Sequence, residues 1–403
     1  MFTVKTPAEA LAVIRGAFLP LGDTERVPLA AAVGRVAAED GLAGEFVPAF
    51  TRSTVDGYAV RAADTFGCSD SLPALLRPAG KIEMGEAPAF SLEAGCCAAI
   101  PTGGALPDGA DAVVMVEFSE TFGGDVGVLK PVAPGENLIY QGDDAQPGQV
   151  LFAKGRRLTP ADVGARAALG SPGTLAVVKK PVVGILSTGN ELVPADQTPR
   201  AGEIRDVNSD LLAALMISFG AQPVCYGIIR DEEQPLREAL ATALNECDAV
   251  LLSGGSSVGE KDHTAALIAE RGEILFHGLA VKPGKPTILG KVGNKPVFGL
   301  PGHPAAAYFV TRVFVREALA RLTGETLSER TPTAVLDEPV GSNHGRAEFV
   351  PVTLYERGGK TFAHPLHSKS GLVAPLAKAD GFCMIDADCE GLPAGSEIAV
   401  REV

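Results

Sequence analysis

The sequence predicts a multidomain α/β plus β protein: a central doubly wound α/β domain, a mainly β inserted domain, a small helical and mixed domain, and a C-terminal β domain. Length is the first reason, because 403 residues exceed one ordinary core and favour two to four domains. The second is alternation between about 180 and 325, where β-rich apolar runs alternate with helical patterns, as parallel sheets with crossover helices require. The third is the change of texture on either side, to short apolar runs divided by Gly and Pro.

Each region follows in order. Thr6, Pro7 and Glu9 supply a cap, a first-turn proline and a capping-box acid for a helix whose Leu11, Ile14 and Phe18 share a face. Thr159 and Pro160 open a second helix in "LTPADVGARAALG", closed by Gly170. These two stretches, 1–44 and 141–179, form one discontinuous mixed domain around the inserted region 45–140, which contains "CCAAIPTGG" and "DAVVMVEF". Region 180–326 reads as strand "PVVGILST", helix "SDLLAALMISFG", strand "PVCYGIIRD", helix "EQPLREALATALNE", strand "DAVLLSGG" and helix "TAALIAERG". A strand pair, "PTILGKV" and "PVFGL", and a long helix after "PGHP" complete it. Region 327–403 shows short alternating strands and no convincing helix.

Composition excludes several classes. Hydrophobic residues at 46% and charged residues at 21% belong to a soluble globular chain. The formal charge of −14 and the lack of a basic run argue against nucleic acid. Cys68, Cys96, Cys97, Cys225, Cys247, Cys383 and Cys389 contain no C-x-x-C pair, which fits free thiols in a reducing cytosol. The N-terminus lacks a signal-peptide pattern and no apolar run approaches the roughly 18 residues of a spanning helix, so a cytoplasmic protein without a membrane role is expected.

In open parallel sheets ligands bind outside the carboxyl ends of strands, near a reversal in strand order. Those ends carry Ser187-Thr188-Gly189-Asn190-Glu191, Arg230-Asp231, Ser253-Gly254-Gly255-Ser256-Ser257 onward to Asp262, and Leu300-Pro301-Gly302-His303-Pro304, with Lys282 and Lys285 in a loop nearby. Each loop alone has an ordinary explanation as a turn or helix cap; together they form a site for anion and cation at once. Gly254 and Gly255 permit close backbone approach to phosphate oxygens. Glu191, Asp231 and Asp262 supply hard oxygen ligands of the kind Mg²⁺ takes alongside phosphate and water. "GGSSVGEK" fails the Walker pattern and "GGSSVG" fails the dinucleotide spacing. The six histidines show no H-E-x-x-H and no Ser lies in a G-x-S-x-G elbow, so zinc and Ser–His hydrolysis are not indicated.

The assembled motifs resemble the molybdopterin molybdenumtransferase family, the bacterial MoeA type also found as the E domain of gephyrin. The resemblance rests on "STVDGYAVR" at 53–61, "IPTGGALPDGADAVVMVE" at 100–117, "STGNEL" at 187–192, "GIIRD" at 227–231, "SGGSSVGEKD" at 253–262, "VKPGKP" at 281–286 and "GLPGHP" at 299–304. It implies a cytosolic homodimer with a molybdopterin-binding α/β domain, which uses Mg²⁺ to insert molybdenum from molybdate into adenylylated molybdopterin and releases AMP. Molybdopterin adenylyltransferase and molybdenum-cofactor enzymes or chaperones would be its partners.

By the same resemblance Glu191, Asp231 and Asp262 belong to the metal and phosphate cluster, and the loop with Ser253, Gly254, Gly255 and Ser256 holds pterin or nucleotide beside Ser187 and Gly189. Lys282 and Lys285, with Pro301, His303 and Pro304, form the oxyanion end, to which Arg346 and Ser370 are further candidates. Asp56, Thr102 and Asp144 lie in motifs of the second domain, which dimerisation would carry over the partner's α/β site. Two positions depart from the family pattern: Asn190 stands where an acid is usual, and His303, a group that titrates near neutrality, stands where Asn is usual. A scaffold that presents a peptide-binding surface is the rival from another class, but it needs neither the carboxylates nor the lysine pair. Nucleotidyl transfer to molybdopterin is the second rival, and ATP consumption would separate it.

Overall fold

The computed structural model describes residues 4–170, 173–254, 263–327, 331–366 and 369–402. Its central sheet has six strands in the order Gln222–Ile229, Val182–Thr188, Ala249–Ser253, Lys295–Leu300, Ile288–Val292 and Glu273–His277. The first four run parallel, and the last two add an antiparallel edge. Ala249–Ser253 is buried at every position, which suits an apolar run covered on both faces.

Helices cover both faces. On one, Leu212 and Met216 of Asn208–Ser218, with Phe309 and Phe314, pack on Ile185, Leu251 and Phe298. On the other, Leu240 of Glu233–Glu246 and Leu267 and Ile268 of His263–Arg271 pack on Leu186, Val250 and Leu252. The second strand in sequence lies on one side of Val182–Thr188 and the third on the other. The crevice of a doubly wound sheet therefore opens between Thr188 and Ser253. The sequence reading passed over Glu273–His277; "EILFH" is a half-buried edge strand only five residues long, with weak alternation.

The long helix is Pro304–Val310 and Arg316–Thr323 joined by a π-helical turn at Thr311–Val315, and it stops at Gly324, whose φ of +67° suits a glycine C-cap. The first helix, Pro7–Ala17, carries the expected capping box: Thr6 Oγ1 accepts from Glu9 N and Glu9 Oε2 accepts from Thr6 N. Its Ala10 and Ile14, with Phe18 just beyond, enter the same core as Leu319 and Leu322. Arg15 donates twice to Glu317, at 2.8 and 3.0 Å.

Farther along the chain, Thr24–Pro28 pairs antiparallel with Thr174–Val178, and Thr159 and Asp162 cap the helix Pro160–Ala168. Arg157 ties this region to the central domain. It donates to Glu325 at 2.9 and 2.7 Å, to Gly34 O at 2.6 Å and to Phe219 O at 2.7 Å, and Arg316 also donates to Glu325. Burial pushes the Glu325 carboxyl up, but hydrogen bonds from the two guanidiniums outweigh it and hold the group below its ordinary value.

The inserted region is a six-stranded sheet ordered Ala112–Met115, Gly57–Val60, Cys96–Ile100, Ala74–Lys81, Asp125–Val128 and Ser119–Phe122. The terminal region is a seven-stranded sheet that the central domain joins directly, because Val281 and Lys282 pair with Ala347 and Glu348. Phe309 seals the junction against Phe349 and Phe382, with ring centroids 5.3 and 5.2 Å apart. The expectation of no helix here is corrected by Ala374–Lys378, one short turn set off by Pro375 and too brief to leave a periodic signal. Among the described residues no helix is long and apolar enough to cross a membrane.

Candidate active site

Two adjoining clefts open along the carboxyl edge of the central sheet. They share Pro286, Pro301, His303 and Gly371. The first, of about 850 Å³, lies over the crevice and is lined by Ser187, Thr188, Glu191, Glu203, Arg205, Asp206, Asn208, Ser253, Gly254 and Pro304, among others. The second, of about 910 Å³, lies between the central and terminal domains and includes Lys282, Lys285, Arg346, Glu348, Lys369 and Ser370.

Strand ends build the first cleft. Gly254 has φ +107°, and a Cβ there would lie 1.9 Å from the Thr188 carbonyl oxygen, so only glycine lets the two central strands end this close together. Behind it Asp206 accepts three hydrogen bonds, from Ser187 Oγ at 3.0 Å, from Ser209 N at 3.1 Å and from Ser209 Oγ at 2.6 Å. That carboxylate also faces the first turn of Asn208–Ser218, where the helix dipole favours a negative charge. Asn208 donates to Ser253 Oγ at 2.7 Å and to Gly302 O at 2.9 Å, which fastens the helix to two further strand ends. Asp206, Asn208 and Ser209 escaped the sequence reading, which started this helix at Ser209; "RDVNSD" reads as an ordinary polar lead-in, and its one signal was the run of capping residue types.

The second cleft has the opposite charge. Its described lining presents Lys282, Lys285, Arg346 and Lys369 against a single carboxylate, Glu348. Glu348 pairs with Lys282 at 2.9 Å and accepts from Ser342 at 2.9 Å, so it orients one lysine and leaves the other cations facing the cavity. The shared wall is held by His303, whose Nδ1 lies 3.0 Å from Ser370 Oγ.

The expected site residues divide accordingly. Ser187, Glu191, Ser253, Gly254 and Pro304 line the first cleft, with Gly189 in the turn behind Glu191; Lys282, Lys285, Arg346 and Ser370 line the second, and Pro301 and His303 line both. Asp231 is exposed outside both linings and linked to the first, its N–H donating to Asn190 Oδ1 at 3.3 Å. Asn190, the departure from the family pattern, thus fastens the neighbouring loop. Asp56 accepts from Thr102 N at 2.7 Å in the inserted domain, and neither they nor Asp144 line either cleft of their own chain. Gly255, Ser256 and Asp262 lie outside the described residues.

For Mg²⁺ the donor chemistry fits. Glu191 and Asp231 offer exposed carboxylate oxygens at neighbouring strand ends. Among the described residues no three acidic, His or Cys side chains gather to make a closed cage. Magnesium does not need one, since it commonly takes one or two carboxylates and fills its shell with substrate phosphate and water.

Comparison with known proteins bears on this arrangement along the whole chain. Residues 5–170 match the MoeA N-terminal region (domain I and II), 184–321 the model described as "Probable molybdopterin binding domain", and 333–403 the MoeA C-terminal region (domain IV). The chain belongs to the MoeA family. Among its MoeA relatives, the molybdopterin molybdenumtransferase of Bacillus subtilis is 34% identical over 390 residues, covering 95% of this chain and 90% of that protein. That of Haemophilus influenzae is 31% identical, covering 94% and 93%. The molybdopterin biosynthesis moeA protein of Pyrococcus horikoshii superimposes with a TM-score of 0.87 at 34% identity over 100% of both chains. The MoeA assignment makes the chain an enzyme of molybdenum cofactor biosynthesis, a molybdopterin molybdenumtransferase.

Proposed function

We propose that this chain inserts molybdenum from molybdate into adenylylated molybdopterin with release of AMP, taking the adenylylated substrate in the acidic cleft and molybdate in the basic one. The pair of adjoining clefts with a common wall carries this reading. The substrate would span both, with its dithiolene toward Lys282, Lys285 and Arg346 and its phosphoanhydride near Glu191 and Asp231.

The chain's own residues act by placement. Lys282, Lys285 and Arg346 would hold the molybdate dianion with charge-assisted hydrogen bonds. Glu348 keeps Lys282 in position. His303 and Ser370 fix the wall across which dithiolene sulfur meets the oxyanion. Glu191 and Asp231 would hold Mg²⁺, which when bound supplies positive charge where phosphoanhydride cleavage builds negative charge. No protein nucleophile is required, so the rate gain comes from proximity and electrostatic preorganisation.

We extend the proposal to a homodimer. Asp56, Thr102 and Asp144 line neither cleft of their own chain, and exposed Leu42, Phe46, Phe50, Tyr140 and Val150 put large apolar area around the base of the inserted domain. In a dimer the inserted domain of one protomer would cover the partner's clefts.

The test is AMP release from adenylylated molybdopterin by purified protein, with Mg²⁺ and with and without molybdate, following cofactor formation in parallel. The expected result is release that needs both ions and matches cofactor formed. ATP consumption with molybdopterin adenylylated would move the activity one step earlier. Intact binding without turnover would leave a scaffold.

A further inference from the structure

The loop that carries Lys282 and Lys285, residues 278–287, is shaped by three separate parts of the chain. It closes on itself through Gly278 N–H to Thr287 O at 2.8 Å and Leu279 N–H to Lys285 O at 2.9 Å, and the Thr287 hydroxyl donates to Gly284 O at 2.7 Å. From the terminal domain, Ala347 N–H donates to Ala280 O at 2.9 Å, beside the pairing of Val281 with Ala347. From the start of the sequence, Lys5 N–H donates to Gly278 O at 3.0 Å and Lys5 O accepts from Ala280 N–H at 2.7 Å, a parallel bridge opposite Leu279. Local sequence aims that segment at the loop. The capping box of Thr6 and Glu9 fixes how the chain enters Pro7–Ala17, and Gly278, at φ +112°, makes room for Val4, whose Cγ2 would lie 3.2 Å from a Cβ there. Leu279 and Val281 are fully buried and Ala280 nearly so. Without Lys5 the Ala280 N–H would lose its partner in that setting, a loss costly enough to move backbone.

We propose that the opening segment of the chain is a positioning strap for the oxyanion cleft, in which the backbone of Lys5 holds Ala280 and so sets where Lys282 and Lys285 stand against Arg346. This rests on the placement of molybdate in the basic cleft and names what fixes the spacing of its cations. Ala280 is where the two cation-bearing segments meet. It is bonded through its C=O to Ala347, the neighbour of Arg346, and Lys282 follows two residues after it. Its N–H is bonded to Lys5. A shift at Ala280 is therefore passed to the distance between Lys282 and Arg346, which a small tetrahedral anion must touch together. Lys5 itself lines neither cleft, so it acts through the loop and not on the anion.

Lys5→Pro deletes the N–H donor, whereas the conservative Lys5→Ala keeps both backbone bonds, so the pair separates backbone from side chain. Equilibrium dialysis of molybdate and calorimetry of AMP on the purified full chain read the two clefts independently. We expect Lys5→Pro to bind molybdate about tenfold more weakly, the value of one charge-assisted hydrogen bond, with AMP affinity unchanged, and Lys5→Ala to match wild type. A merely structural role would move both affinities or neither. Coupling is reciprocal, so saturating molybdate should slow amide exchange at Lys5 and Ala280 of wild type by the same factor. That measurement needs no variant and decides the matter even if Lys5→Pro folds poorly. Four results overturn the assignment: unchanged exchange, full molybdate affinity in Lys5→Pro, a parallel loss of AMP affinity, or a Lys5→Ala as weak as Lys5→Pro. If wild-type protein still released AMP with molybdate, only this inference would fall; if wild type neither bound nor used molybdate, the proposed activity would fall with it.

Discussion

Across Pro301 and His303 the two clefts meet, yet one is lined by Glu191, Glu203 and Asp206 against Arg205, and the other by Lys282, Lys285, Arg346 and Lys369 against Glu348. Both would receive anionic groups under the proposed activity, in a chain whose formal charge is −14. The difference teaches that negative ligands can be admitted in two ways. Fixed side-chain cations suit a small oxyanion that needs hydrogen bonds from several sides. Carboxylates suit a phosphate that arrives with a divalent ion, because the ion reverses the local field.

The harshest test of that comparison makes both clefts fail together. Glu325→Gln leaves the half-buried Arg157 and Arg316 without their shared carboxylate, and removing the partner of such a cluster costs up to about 3–5 kcal/mol. Denaturant melts should show that loss, with binding in the two clefts impaired alike. The wild-type carboxyl lies below its unfolded value, so its stabilisation is complete above roughly pH 4.3 and is lost as pH falls through the folded value. The gap between wild type and Glu325→Gln should therefore close in acid.

Gly254→Ala breaks the acidic cleft alone. The added Cβ must push strand ends apart at Thr188 O, and a displacement of about 1 Å at such a site costs on the order of a hundredfold in rate. AMP release should fall by that amount while molybdate still binds in equilibrium dialysis.

Lys282→Met breaks the basic cleft alone. It should raise the molybdate concentration for half-maximal cofactor formation by roughly tenfold, the value of one charge-assisted hydrogen bond, and leave AMP affinity unchanged. An equal loss of AMP affinity would show that the clefts are not separate in charge.

His303→Asn probes the wall and has the smallest effect. A change of a few-fold should appear when the two proteins' rates are compared across pH. Superimposable curves would remove His303 from any role in charge.

Much of this site was legible in the sequence because strand alternation identifies which loops share an edge, and Gly254, Ser253, Glu191 and Pro301 lie in those loops. Its division into a phosphate end and an oxyanion end came from the family resemblance and not from any local pattern, since Lys282 and Arg346 are 64 positions apart and meet only because the Val281–Lys282 strand pairs with Ala347–Arg357. Asp206 and Asn208 were hidden for a related reason. Their roles depend on bonds to Ser187, Ser253 and Gly302, which no local pattern encodes. Asn190 stands where the family has an acid, and its Oδ1 accepts from the Asp231 N–H, a contact that no local pattern foretells.

The first helix buries Ile14 and Phe18 beside Leu319 and Leu322, and its Arg15 reaches Glu317, 302 positions later. On a ribosome adding about 5–20 residues per second, that helix is finished roughly 15–60 s before its partner exists. During that interval its apolar stripe lacks the cover that Leu319 and Leu322 supply once the chain is about four-fifths made. Nascent chains halted before Arg316 should accordingly be the ones most readily captured by holdases.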